Sequence, residues 1–192
     1  MQPFRPFSGL LCAALLGGCA GGAGVSNSER PAIGGLTAYA PGFDAVVASD
    51  AKIERLAEGF TWPEGPAWIE DGGYLLFTDV PENRIHRWSE VDGLSVFLEP
   101  SGYDGPPIDV LREAGANGLY AEPSGTVLLA DSGSRTLARL DPRTQQKSVL
   151  ARGFDGRRFN SPNDVVRRSD GAIFFTDPPY GLKDLDDSPV KE

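Results

Sequence analysis

Residues 64–79, EGPAWIEDGGYLLFTD, contain the pattern from which the architecture follows. A polar residue opens the stretch, a glycine turn interrupts it, and an apolar strand ending in aspartate closes it. The same plan recurs as NGLYAEPSGTVLLAD at 117–131 and as NDVVRRSDGAIFFTD at 163–177. The opening residue precedes the aspartate by 79 − 64 = 15, 131 − 117 = 14 and 177 − 163 = 14 positions. Each copy therefore predicts two strands joined by a tight turn.

The copies recur with a period near fifty residues, since their closing aspartates are 131 − 79 = 52 and 177 − 131 = 46 positions apart. In the first two copies, two further strand-like segments follow before the next copy begins. A period of this length, made of about four short strands, is typical of one blade of a β-propeller, whereas a β-sandwich has no such self-similarity. The sequence thus predicts an all-β fold with about three blades.

Blades bury their faces against neighbouring blades, so three blades alone leave two apolar faces open. The last segment, residues 180–189, is a polar loop with no strand after it to close the third blade. We therefore expect this chain to be the N-terminal part of a longer propeller.

Composition agrees with short strands and many turns, because 24 Gly and 16 Pro accompany 40% hydrophobic residues. The chain has 27 acidic against 18 basic residues, an excess that repels a phosphate backbone, so nucleic acid is not expected as a partner. Its two cysteines, Cys12 and Cys19, both lie in the first twenty residues. This position excludes a disulfide or a zinc–cysteine site in the folded region.

The N-terminus has the layout of an export signal: Arg5, an apolar run at 10–16, then small residues up to Cys19. The segment Leu16–Cys19, LGGC, matches the pattern that bacterial lipoprotein signal peptidase recognises. We expect residues 1–19 to be the signal, residues 20–45 a flexible tether and residues 46–192 the propeller part. Acyl chains on Cys19 would anchor the protein to a membrane. Ala20 favours the outer membrane, facing the periplasm, and an ordinary cleaved signal, giving a periplasmic protein, is the alternative.

Three phrases of the chain resemble the senescence-marker-protein, gluconolactonase and regucalcin-like family: residues 59–68, 158–166 and 175–181. The resemblance begins at about Ile53 and runs to the end. It implies a six-bladed β-propeller and, in the full-length protein, hydrolysis of a sugar lactone such as gluconolactone. Family members use water activated by a divalent cation, commonly Ca²⁺, with Zn²⁺ or Mg²⁺ as other candidates.

The resemblance also implies site residues. Glu64 matches the glutamate that binds the cation, and Asn163 matches an asparagine near both the metal and the substrate. Asn117 lies at the equivalent blade position and is expected to contact substrate. Hard cations prefer such oxygen ligands. The general-base aspartate of the family belongs to a later blade, beyond residue 192, so we expect this chain alone to be inactive and to contain no catalytic residue.

Each candidate also has a simpler interpretation. Glu64 could be a solvated acid, although its Pro-Glu-Gly-Pro context is stiff, and Asn163 could form an Asx turn after Pro162. Asp177 is expected to cap a turn, as are the other two closing aspartates, but it also matches a ligand of a second, structural calcium in some relatives. His86 is the only histidine and lies in an outer-strand pattern, which excludes Ser-His-Asp chemistry.

Two other interpretations concern the whole protein. A non-catalytic propeller that binds or scaffolds at the cell envelope remains open, because a fold does not fix a function. A metal-free propeller similar to strictosidine synthase is disfavoured by the Pro63–Pro66 segment. The lactone itself is not specified, but Pro100–Ala114 is a candidate substrate loop with Tyr103, Asp104 and Arg112 as contacts.

Overall fold

The computed structural model describes Arg30 and residues 32–192. The chain divides into two compact units at Leu56 and Ala57. In the first unit the described residues form a one-turn 3-10 helix at Phe43–Ala45 and an isolated antiparallel bridge between Ala32 and Glu54. The predicted signal with Cys19, and the first part of the predicted tether, lie outside the described residues.

The second unit is built from antiparallel strands, and its described residues contain no α-helix. The first sheet has the order β1-β2-β3-β4, with strands β1 (Pro63–Ile69), β2 (Tyr74–Asp79), β3 (Arg84–Ser89) and β4 (Gly93–Leu98). The second sheet has the order β5-β6-β7-β8, with strands β5 (Leu119–Ala121), β6 (Val127–Asp131), β7 (Thr136–Asp141) and β8 (Gln146–Ala151). A short hairpin, β9 (Gly153–Phe154) and β10 (Arg157–Arg158), precedes the third sheet, β11 (Val165–Arg167) and β12 (Ile173–Phe175).

The strands confirm the repeat predicted from the sequence, down to one shared irregularity. Glu64 is paired with Thr78 just before the register of β1 shifts. The N–H of Asn117 donates to the Ala130 carbonyl, and the N–H of Ala130 donates to the Gly118 carbonyl, both over 2.9 Å. In the second copy, therefore, the opening residue and its successor lie opposite a single residue of the returning strand, as in a β-bulge, and the first copy has its extra residue between Glu64 and Ala67.

The third copy repeats this arrangement with Asn163 and Asp164 opposite Thr176. The first copy is one residue longer because of its turn. Four residues, 70–73, separate the paired Ile69 and Tyr74. Three residues, 123–125 and 169–171, separate the paired residues in the other two copies. The spacing of 15 against 14 thus comes from the hairpin loop, and the opening residues are structurally equivalent.

Two apolar clusters hold the sheets together. The larger joins the first and second sheets through side chains such as Leu76, Ile85, Leu129 and Leu140, all inaccessible to solvent. The smaller joins the second and third sheets, with Leu128 and Val165 buried at its centre. Side chains alternate along a strand, so Val166 and Phe174 face away from this cluster, and each is about half exposed.

Among the described residues, no helix has the length and apolar character needed to cross a membrane.

Candidate functional site at the opening end of the sheets

The opening residues lie at one end of the sheets, the opening end: Glu64 is in β1, and Asn117 and Asn163 come two residues before β5 and β11. Two glycines bring them together. Gly65 has φ +51°, and a Cβ atom there would lie 2.5 Å from the Asn117 carbonyl oxygen. The N–H of Gly118 donates to the Asn163 carbonyl over 2.7 Å, and a Cβ on Gly118 would lie 2.8 Å from that same oxygen. Backbone approach this close requires glycine, so the sequence fixes the three opening residues side by side.

The opening residues present oxygen atoms with few competing partners. Glu64 is partly exposed, and its Oε1 accepts a hydrogen bond from Trp62 Nε1 over 2.8 Å. Asn117 is only 6% exposed, and its backbone carbonyl accepts from Thr78 Oγ1 over 3.1 Å. Within the described part of the chain, the side-chain amides of Asn117 and Asn163 make no hydrogen bond. A residue as buried as Asn117 rarely has an amide without a partner, which suits a residue that binds a ligand.

A metal at this end would find one carboxylate and two amide oxygens among the opening residues. These are the donor types that Ca²⁺ and Mg²⁺ prefer, but Ca²⁺ takes six to eight oxygen ligands. The described residues contain no group of three or more His, Cys, Asp or Glu side chains placed to hold a metal ion. The opening residues therefore fit part of a cation site.

Two of the closing aspartates, Asp79 and Asp177, bind backbone N–H groups of the segment that precedes their own hairpin. Asp79 is 2% exposed and accepts the N–H groups of Thr61 and Trp62, each over 2.9 Å. Asp177 accepts the N–H of Asn160 over 2.8 Å in the equivalent manner. Its Oδ1 is nevertheless buried without a hydrogen-bond partner, and burial raises the pKa of Asp177 against the opposing effect of neighbouring N–H groups.

Asp131 differs from the other two, and sequence reasoning missed its main partner. Its Oδ1 accepts the N–H of Ser134 over 3.0 Å, while Oδ2 pairs with Lys147 Nζ over 3.0 Å. The same ammonium group donates to the carbonyls of Ser101 and Gly102, over 2.6 and 2.9 Å. Three acceptors satisfy the three ammonium hydrogens, so Lys147 fixes the start of the loop that leads to Asn117.

The predicted substrate loop, 100–114, lies at the opening end and is held at several points. Asn83 donates to the Tyr103 carbonyl over 2.8 Å, and Arg112 N–H donates to the Gly181 carbonyl over 2.9 Å. The loop borders a groove of about 290 Å³ whose lining includes Tyr103 and Arg112. The Arg112 guanidinium binds Glu113 within the loop, and Asp104 is exposed.

A larger groove, of about 460 Å³, lies at the other end of β1. Its one deeply buried acid, Glu122, accepts two hydrogen bonds from Arg139 and one from Thr126. Burial alone would raise the pKa of Glu122, but these donors outweigh burial and lower it. The Glu122 carboxylate is thus already neutralised, and this larger groove offers less chemistry than the opening end.

His86 is packed between Phe60 and Phe77, with ring centroids 5.1 and 5.3 Å away. It is 8% exposed, and its Nδ1 is buried without a hydrogen-bond partner in the described residues. Burial lowers the pKa of His86, so the ring is neutral at pH 7. Nothing in these contacts gives His86 a place at the opening end.

Sequence reasoning also missed Asp164. It follows Asn163 directly and occupies the position of Gly65 and Gly118 in the other copies. Its Oδ1 lies 2.8 Å from where a Cβ of Gly118 would be. The sequence alone could have identified Asp164, because an alignment of the three copies has a carboxylate at a position that is glycine in the other two.

The family model described as SMP-30/Gluconolactonase/LRE-like region matches residues 62–188. A gluconolactonase from Zymomonas mobilis is 44% identical over 168 residues, which are 87% of this chain and 47% of that protein. A crystal structure provisionally assigned as a gluconolactonase aligns with a TM-score of 0.66 at 32% identity, covering 81% of this chain and 49% of the other. The gluconolactonase structure from Xanthomonas campestris aligns with a TM-score of 0.62 at 30% identity, covering 82% and 46%. This chain therefore spans about half the length of the relatives it matches.

Proposed function

Since this chain belongs to the SMP-30/gluconolactonase/LRE-like family, we propose that the full-length protein hydrolyses a sugar lactone such as gluconolactone. We also propose that its propeller has six blades, of which this chain supplies about three. The observation that carries the functional proposal is the placement of the opening residues Glu64, Asn117 and Asn163 side by side at the opening end. Two of them contribute amide groups that are free to bind.

The proposed cofactor is Ca²⁺, with Zn²⁺ or Mg²⁺ as other candidates, bound through Glu64 and Asn163. A divalent cation at this position supplies Lewis acidity, which polarises a lactone carbonyl and lowers the pKa of a water. The bond from Trp62 holds one oxygen of Glu64 in place and leaves Oε2 as a ligand. The missing ligands and the general-base aspartate belong, in this proposal, to later blades.

The two asparagines bind and orient the substrate. An amide side chain offers one carbonyl acceptor and two N–H donors, which match the hydroxyl groups of a sugar. The backbone of Asn117 is held on both sides, because its N–H donates to Ala130 of the second sheet and its carbonyl accepts from Thr78 of the first. A rigid polar group loses little entropy on binding, so Asn117 suits a positioning role.

Asp177 is proposed as a ligand of a second, structural cation. Its buried Oδ1 has no partner among the described residues, and an unpaired carboxylate oxygen is costly to bury. A cation there would offset that cost.

We further propose that the protein resides in the cell envelope, anchored to the outer membrane on its periplasmic side by acyl chains on Cys19. A periplasmic protein without the anchor is the alternative. Labelling cells with a palmitate analogue tests the anchor, since Cys19→Ser should abolish the label. A wild-type protein without label would remove the anchor from the proposal.

The enzyme and the non-catalytic binder differ in what Glu64→Gln does. In the full-length protein we expect this variant to lose divalent-cation affinity and lactone hydrolysis together, measured by calorimetry and by acid release. Glu70→Gln is a matched control, because Glu70 accepts from Trp68 Nε1 over 3.1 Å just as Glu64 accepts from Trp62, but at the opposite end of β1. A wild-type protein that binds a sugar lactone without hydrolysing it would favour the binder.

A further inference from the structure

The residue that follows each opening residue differs among the three copies. In the first two copies it is Gly65 or Gly118, and a Cβ there would lie within 2.8 Å of the next strand's backbone. The third copy has Asp164 at this position. Close backbone approach excludes a side chain at this position in the first two copies, but the third copy has one. The presence of Asp164 therefore requires an explanation.

The backbone fixes where Asp164 lies. Its N–H donates to Thr176 Oγ1 over 3.1 Å, and its carbonyl accepts the N–H of Thr176 over the same distance. The carboxylate folds back over Gly118, next to Asn117, and its Oδ1 accepts the N–H of Val165 over 2.8 Å. Asp164 is exposed, and its Oδ2 has no hydrogen-bond partner in the described part of the chain. A free carboxylate oxygen therefore sits at the opening end.

We infer that Asp164 is a second carboxylate ligand of the divalent cation, beside Glu64. This inference rests on the cation site of the proposed function. Asn117 is only 6% exposed and its side-chain amide makes no hydrogen bond within the described residues, which is the independent sign that a ligand belongs at this place. Glu64 alone brings one negative charge, whereas Glu64 and Asp164 together match the charge of a divalent ion. Ligand charge is a main determinant of calcium affinity.

Terbium titration of the full-length protein, which contains the proposed later blades, tests the assignment. Terbium(III) binds oxygen sites that accept calcium and luminesces when excited through a nearby indole, and Trp62 is bonded to Glu64 itself. We expect Asp164→Asn and Asp164→Gly to weaken terbium binding at least about tenfold, because even loss of a group that only orients a metal ligand costs about ten- to a hundredfold in affinity. Asp164→Gly restores the residue of the other two copies, so the fold should tolerate it.

The matched control is Asp155→Asn. Asp155 is exposed in the β9–β10 turn with φ +49°, a conformation that asparagine also adopts, so the variant makes the same charge change away from the opening end. Calorimetric titration with calcium should report the same order of affinities independently of terbium luminescence.

The outcomes distinguish failure of Asp164 as a ligand from failure of the proposed cation site at Glu64. Weaker binding in Asp164→Asn, Asp164→Gly and Glu64→Gln, with Asp155→Asn unchanged, supports the inference. Loss in Glu64→Gln alone overturns Asp164 as a ligand and leaves the proposed cation site standing. A wild-type full-length protein that binds no terbium, or equal loss in Asp155→Asn, also overturns it, and the former removes the Glu64 cation site from the proposed function.

Discussion

Replacing Gly65 by alanine should separate the first and second sheets at the opening end. Gly65 has φ +51°, which an L-residue adopts only with strain, and its added Cβ would lie 2.5 Å from the Asn117 oxygen and 2.8 Å from the Leu119 nitrogen. Both contacts are backbone atoms, which cannot rotate away as a flexible side chain could. The change therefore acts on the spacing between Glu64 and Asn117.

Two costs add in this variant. The left-handed backbone conformation costs about 1–2 kcal/mol for a residue with a Cβ. Forcing an extra methyl group against a well-packed neighbour costs about 1–3 kcal/mol more. Alanine also restricts the unfolded chain, which returns about 0.4–1 kcal/mol. We expect Gly65→Ala to lower the free energy of unfolding by about 1–5 kcal/mol in total, once that gain is subtracted from the two costs.

Urea unfolding followed by tryptophan fluorescence measures this loss, with Gly73→Ala as the control. Gly73 has φ +62°, close to that of Gly65, but its added Cβ would meet no atom within 4 Å. Gly73→Ala therefore has only the backbone cost, and the difference in stability between the two variants isolates the contact between the sheets. If Gly65→Ala and Gly73→Ala lose the same stability to within about 0.5 kcal/mol, the two glycine positions are energetically alike and the close approach does not hold the opening residues together.

Two further predictions concern buried charge. Burial lowers the pKa of His86, so as pH falls from about 7 toward 5.5 the unfolded chain takes up a proton that the folded chain refuses, and stability should decrease over this window. Urea unfolding at several pH values should show this slope in the wild type and a smaller one in His86→Gln; an unchanged slope would contradict it. Lys147→Met should cost about 3–5 kcal/mol, because it leaves Asp131 charged and buried. Adding Asp131→Asn should recover part of that loss, and a double variant no more stable than Lys147→Met would refute the pairing.

The fold was largely predictable because the repeat carries it. Strand, turn and strand recur at 64–79, 117–131 and 163–177, and the structure forms hairpins at all three. The bulge at each opening residue was not predictable, since no residue pattern distinguishes it from regular pairing. It depends on hydrogen bonds to one residue of the returning strand, and those form only after the hairpin closes.

The candidate site was predictable where the repeat marks it and hidden elsewhere. The opening residues stand at equivalent positions, so their alignment follows once neighbouring strands are packed together. The pair of Lys147 and Asp131 joins the outermost strand of the second sheet to the end of β6, and spacing along the chain gives no sign of it. Such a contact depends on the twist of the sheet, which a linear pattern does not encode.

The second copy shows how one repeat can carry a loop that the others lack. Asp79 and Asp177 bind N–H groups just before their opening residues, but Gly115, at the corresponding place in the second copy, donates instead to the Val80 carbonyl over 3.0 Å. Asp131 is thereby released from that role and pairs with Lys147, whose ammonium group holds the start of loop 100–114. Asp131 thus lacks the contact that Asp79 and Asp177 make, and through Lys147 it anchors the loop instead. Because this anchor and Asn117 lie at opposite ends of the same segment, changes in the middle of the loop can alter the groove while leaving Asn117 in place.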